Sequence, residues 1–127
     1  KEKVATLKKE LIAKAVERHG VKVVVYRGEA NVDAIKDLAF QIKGESNMDE
    51  KVFFVAGIKD GAKCALMVML SEPLVADGLD ASKLVKDAAR LIQGGGGGQA
   101  HFATAGGKNS DGLAQAVDQI LEAADLK

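Results

Sequence analysis

The sequence predicts an α/β domain: a mixed β-sheet of about four strands covered by helices, with a further helix at the N-terminus. Three observations carry this. The runs "VKVVVY" (21–26) and "KVFFVAGI" (51–58) are β-branched or apolar and bounded by turn residues, as buried strands are. Apolar residues recur at helical spacing in the segments between and after them. Only "KDG" separates the second run from a third, "AKCALMVMLS" (62–71), which makes that pair a hairpin.

Residues 2–19 read as a helix, with Val4, Leu7, Leu11 and Ala15 along one side and Gly20 just past its end. The seam is narrow and the rest is charged, which suits a helix meeting one partner, either its own domain or a second copy. Residues 1–19 are therefore a linker or homodimerisation element, and 20–127 the globular core of a single domain. His19 would cap that helix through its C-terminal dipole. Asn31 is an N-cap for a helix marked by Val32, Ile35, Leu38, Ala39 and Ile42 and ended by Gly44. "GESNMDE" is a surface loop and "SEPLVADGLD" a connector. Asp80 caps the next helix, 81–93, whose apolar side is Leu84, Val85, Ala88, Leu91 and Ile92. Lys83, Lys86 and Arg90 lie on its opposite side at spacings of three and four. Five glycines, Gly94–Gly98, then form a loop, "HFATA" (101–105) a short strand, and Asn109 or Ser110 caps a last helix with Leu113, Ala116, Val117, Ile120, Leu121 and Ala124 facing inward.

Composition narrows the function classes. The 127 residues hold 18 Lys+Arg and 18 Asp+Glu, so no global basic footprint exists and any polyanion contact must be local. Locally the balance tips: between 81 and 108 stand Lys83, Lys86, Arg90 and Lys108 against Asp87 alone. A lone cysteine, Cys64, in an apolar run reads as a buried structural thiol in a reducing compartment. No secretory signal or membrane-length apolar run is present, so a cytoplasmic location with no membrane partner is expected. The chain begins at Lys1, inside what reads as helix, as a domain cut from a longer protein or a processed product would.

No catalytic constellation is evident. His19 and His101 belong to no Ser/His/Asp or Cys/His arrangement, one cysteine cannot build a zinc site, and no metal or cofactor site is expected. Nucleotide motifs fail by spacing: Gln99 and Ala100 stand where G-x-G-x-x-G needs its last glycine, and "GGK" precedes Asn109 where a Walker motif needs Ser or Thr. The glycine tract remains. Backbone without side chains can approach phosphate or ribose closely, and here it is flanked by Lys83, Lys86, Arg90 and Lys108, with Gln99 and His101 as hydrogen-bonding groups. The competing reading of the same residues is a packing loop in which glycine lets a helix and a strand come close.

The stretch "GLDASKLVKDAARLIQGGGGGQAHFATAGGK" resembles the C-terminal domain of the alanyl-tRNA synthetase family, whose hallmark is a helix running into a glycine tract and a short segment ending in Ala-x-Ala-Gly-Gly. Here these are Gly94–Gly98 and Ala103–Gly107, and the resemblance extends over essentially the whole chain. The family pattern often has six glycines followed by Arg-Pro-Asp; here Gln93 stands at the first glycine and Gln99-Ala100-His101 at the triplet. The resemblance implies a non-catalytic tRNA-binding domain of an alanine–tRNA ligase, which contacts the elbow of tRNA(Ala) and couples the aminoacylation and editing domains of the parent chain. Related domains accompany DHH phosphodiesterases, where they grip the nucleic-acid substrate, so that role is the first alternative. The second is a dimerisation module acting through 1–19.

Overall fold

In the computed structural model the described residues are 13, 15–18, 20–29, 31–45, 51–61 and 63–124. They form one six-stranded mixed sheet and four helices. In chain order these are β1 (Val16–Arg18), β2 (Val21–Glu29), α1 (Val32–Glu45), β3 (Val52–Asp60), β4 (Lys63–Leu70), α2 (Glu72–Ala76), α3 (Ala81–Ala89), β5 (Gly95–Gly98), β6 (Phe102–Gly107) and α4 (Leu113–Ala123). Single 3-10 turns at Arg90–Ile92 and Ser110–Gly112 follow α3 and precede α4. The strand order is β1-β2-β3-β4-β6-β5. Only β2 and β3 are parallel, joined through α1; every other neighbouring pair is antiparallel.

Sheet residues alternate between two cores, as the two-residue period of a strand requires. Phe53, Val55, Leu66, Val68, Ala103 and Ala105 pack under α3 and α4. Val24, Phe54, Ala56, Met67 and Met69 pack under α1. Phe53 and Phe54 are both fully buried, on opposite faces. Each such side chain contributes about 1.5–3 kcal/mol, so β3 and β4 form the rigid centre of the sheet. Cys64 is buried there; burial pushes its thiol up from its ordinary value, partly offset by a hydrogen bond with the Gly107 backbone.

The expected caps are present. Asn31 Oδ1 accepts from the N–H groups of Asp33 (2.9 Å) and Ala34 (3.2 Å). Asp80 Oδ1 accepts from Ser82 (3.0 Å) and Lys83 (3.4 Å); Asn109 Oδ1 accepts from Asp111 (3.2 Å) and so caps the 3-10 turn Ser110–Gly112, while α4 itself starts from Gly112 without a side-chain cap. Each satisfies a donor that the first turn leaves unpaired.

Four expectations need correction. The sheet has six strands, not four. Val16–Arg18, expected as the end of a helix, pair with Val21–Val23 as β1; Gly20, read as a helix stop, takes φ +78° at the entry to β2. Elsewhere in the expected N-terminal helix, Ala13 is helical and the seam residue Ala15 is half-buried against the core under α1, while the seam residues Val4, Leu7 and Leu11 and the proposed cap His19 lie outside the described residues. The connector after β4 contains α2, started by Pro73 in its first turn. The largest correction concerns Gly94–Gly98, expected as a loop: Gly95–Gly98 form the edge strand β5.

The entry to that strand is strained. Gln93 adopts the left-handed conformation (φ 54°, ψ 46°) and is the single described non-glycine residue with positive φ. This conformation costs an ordinary residue about 1–2 kcal/mol, and glycine avoids it. Gln93→Gly should therefore raise the unfolding free energy by about 0.5–1 kcal/mol in a urea titration; a fall would mean that the Gln93 side chain supports the turn.

Candidate nucleic-acid interface

The glycine tract is built from the backbone outward. At the tip of the β5–β6 hairpin, Gln99 and Phe102 exchange both backbone hydrogen bonds (2.8 and 3.3 Å) around Ala100-His101. Antiparallel pairing alternates from there: Gly97↔Thr104 and Gly95↔Gly106 are hydrogen-bonded pairs, while Gly98↔Ala103 and Gly96↔Ala105 are the narrow, non-bonded ones. The N–H and C=O of Gly96 and Gly98 thus face away from β6, along the open edge of the sheet.

The same narrow pairs explain the composition. A Cβ on Gly98 would lie 2.7 Å from the Phe102 carbonyl oxygen and 2.8 Å from Ala103 Cα. On Gly96 it would run into the Thr104 carbonyl and Ala105, and on Gly94 into the Gly106 carbonyl. On Gly95 it would meet nothing within 4 Å. On Gly97 it would lie 3.3 Å from Lys86 Cε and 3.7 Å from Ser82 Oγ. Close packing thus accounts for Gly94, Gly96 and Gly98; it does not account for Gly95, and at Gly97 it asks only that Lys86 give slightly. Gly94, Gly95, Gly96 and Gly98 are exposed and Gly97 half-buried.

Helix α3 runs antiparallel to β5 and lies beside it. At its start, the Ala81 N–H donates to the Ala100 carbonyl at the hairpin tip (2.9 Å). At its far end, the Gly94 N–H donates to the Ala89 carbonyl (3.0 Å) and the Gln93 N–H to that of Arg90 (3.2 Å). Lys108 also lies at this end, its N–H donating to Ile92 (2.9 Å). The sequence-predicted residues are therefore spread along the strand rather than gathered in a pocket. Gln99 and His101 sit at the tip with Lys83 at the start of α3, Lys86 crosses Gly97 midway, and Arg90 and Lys108 stand at the base. β5 itself is about 13 Å long. Gln99, Lys83, Lys86, Arg90 and Lys108 are exposed and His101 is half-buried. Ser82, which sequence reasoning did not single out, faces Gly97 one helical turn before Lys86.

The electrostatics separate this edge from the rest of the surface. Among the described residues, ion pairs link Arg27 to Asp118 (2.9 Å), Lys51 to Asp77 (2.8 Å) and Lys59 to Glu29 (4.0 Å). None involves Lys83, Lys86, Arg90 or Lys108, although Asp87 is exposed on the same helix. Four cations without ion-pair partners beside a bare backbone edge leave the positive charge free for an incoming anion. Among the described residues no group of His, Cys, Asp and Glu could hold a metal ion, and no helix is long and apolar enough to cross a membrane.

An α/β domain whose sheet ends in a glycine strand beside a helix bearing unpaired cations is what this geometry defines. The chain belongs to the DHHA1 domain family, whose model matches residues 20–126. It is 55% identical over 127 residues to the alanine–tRNA ligase of Parabacteroides distasonis, covering 100% of this chain and 14% of that protein. It is 53% identical over 126 residues to the ligase of Bacteroides thetaiotaomicron, covering 99% and 14% respectively. The chain thus spans about one seventh of the length of these relatives. Among solved structures it is similar to the C-Ala domain from Aquifex aeolicus alanyl-tRNA synthetase, with a TM-score of 0.69 and 21% identity over 89% of this chain and 98% of that one. RecJ from Thermus thermophilus, solved with Mg2+, has a TM-score of 0.58 and 17% identity over 98% of this chain and 18% of that one. At those identities the structural likeness is one of fold.

The steric pattern gives a direct check. Gly96→Ala should cost at least about 2 kcal/mol of stability, since its methyl group meets backbone that cannot yield. Gly95→Ala should stay within about 0.5 kcal/mol of the unmodified chain. Equal urea midpoints for the two variants would contradict the pairing described.

Proposed function

We propose that this chain is the C-Ala domain of an alanine–tRNA ligase and that it binds tRNA(Ala) without performing chemistry itself. The outward edge of β5, with Lys86 across it, receives the RNA backbone at the tRNA elbow, where the D and T loops meet. The N–H groups of Gly96 and Gly98 donate to phosphate or ribose oxygens. Lys83, Lys86, Arg90 and Lys108 supply the local positive charge that the neutral chain lacks overall. Gln99 and His101 hydrogen-bond or stack at the tip. Holding the elbow keeps one tRNA within reach of both the catalytic and the editing domains of the parent chain, in the cytoplasm.

The observation that carries this reading is the juxtaposition of an exposed, side-chain-free edge strand with cations that have no carboxylate partner. High identity along the whole chain to alanine–tRNA ligases favours the synthetase over the phosphodiesterase role, for which the support is likeness of fold.

Binding of a tRNA(Ala) transcript, followed by fluorescence anisotropy at several salt concentrations, tests it. The chain should bind at low salt and weaken as salt rises. Lys86→Gln should weaken binding and reduce the magnitude of the salt slope by about 1. An unchanged slope and affinity would place the contact elsewhere, and cleavage of the RNA would favour the phosphodiesterase role.

A further inference from the structure

We infer that Phe40 and Phe102 form a shelf on which an unstacked nucleobase of the bound RNA rests, a deepening that depends on the tRNA-binding reading above. The two rings stack with centroids 4.8 Å apart and an interplanar angle of 20°. Phe102 is half-buried, while Phe40 is 45% exposed on α1, one of two large apolar residues left this open among the described residues. It stands off the helix's apolar stripe, with exposed Lys36 and Asp37 in the turn before it. An open phenylalanine held face-on against a second ring resembles the end of a base stack, and every base has a π-face able to extend one.

Position argues for RNA as the occupant. Phe102 is one half of the hydrogen-bonded pair with Gln99 that closes the hairpin, so it lies beside His101 and next to Ala103, the partner of Gly98 at the end of the glycine strand. It is fixed there, because the neighbouring His101 carbonyl accepts from the Leu70 N–H of the rigid β4 (2.8 Å). Phe102 packs on the α1 face of the sheet, whereas Lys86 approaches Gly97 from α3 on the other face. A polynucleotide lying along the open edge would therefore meet cations on one side and the aromatic shelf on the other. Its phosphates stay at the edge, and one base folds over onto Phe40.

The test uses the full 127-residue chain and a tRNA(Ala) transcript, comparing Phe40→Ala, Phe40→Leu and Phe40→Trp. Loss of one stacked base predicts binding weakened about 5- to 100-fold for Phe40→Ala. The salt slope should be unchanged, because no phosphate contact is lost. Phe40→Trp should restore binding and Phe40→Leu should not, with far-ultraviolet circular dichroism and melting temperature equal across the set. Wild-type affinity in Phe40→Ala, with binding still lost in Lys86→Gln, would remove the shelf and leave the glycine edge standing. Full rescue by leucine would reduce Phe40 to packing. A drop in sedimenting mass on Phe40→Ala would make a second copy the occupant. Absence of tRNA binding by the unmodified chain would remove both readings together.

Discussion

The constraint on which the rest of the structure depends is the narrow pairing of β5 with β6. At Gly94, Gly96 and Gly98 the place of a Cβ is taken by the backbone of β6, so a side chain at any of the three would push the strands apart. The alternation that sets Gly96 and Gly98 in narrow pairs turns their polar groups outward. One geometric fact thus does two things: it forbids side chains, and it leaves the bare edge that a bulky, charged polymer can approach. An exposed edge strand is ordinarily a liability because it can pair with other chains. Here the strand is short, and a helix carrying lysine and arginine runs beside it.

The neighbouring elements hold that edge in place. The turn from α3 into β5 is closed by the Gly94–Ala89 and Gln93–Arg90 bonds, and the tip is closed by the Ala81–Ala100 and Gln99–Phe102 bonds. The hairpin is therefore pinned to α3 at both ends and to the rigid β4 along its length. Lysines that are mobile on most surfaces are here distributed along a fixed rail. Charge partition follows the same division: Arg27, Lys51 and Lys59 are spent on carboxylates at other parts of the fold, and the cations of α3 are not.

Much of this was legible in the sequence, for identifiable reasons. The buried runs 21–26 and 51–58 and the "KDG" turn announced β2, β3 and β4 because apolar β-branched residues and a tight turn leave little choice. Asn31 and Asp80 announced helix starts because their side chains satisfy orphan N–H groups; Asn109, one of two residues expected to cap the last helix, caps the 3-10 turn before it. Gly20 misled, because one left-handed glycine serves a helix end and a strand turn equally well. β5 was illegible as a strand because glycine carries no periodic signal and opposes regular structure by propensity; only the partner β6 imposes it. Of the two readings of the tract, the packing demand is met at Gly94, Gly96 and Gly98. Phe40 carried a signal that went unused, an aromatic residue outside an otherwise regular apolar stripe.

The most direct test of the central claim is the amide spectrum of 15N-labelled chain as unlabelled tRNA(Ala) is added. The account predicts that the Gly96 and Gly98 amides, which point away from β6, shift or broaden first, while Gly20, in the β1–β2 turn at the opposite edge of the sheet, holds its position. Changes that leave β5 untouched and centre on the Arg27–Glu29 end of β2 would contradict it.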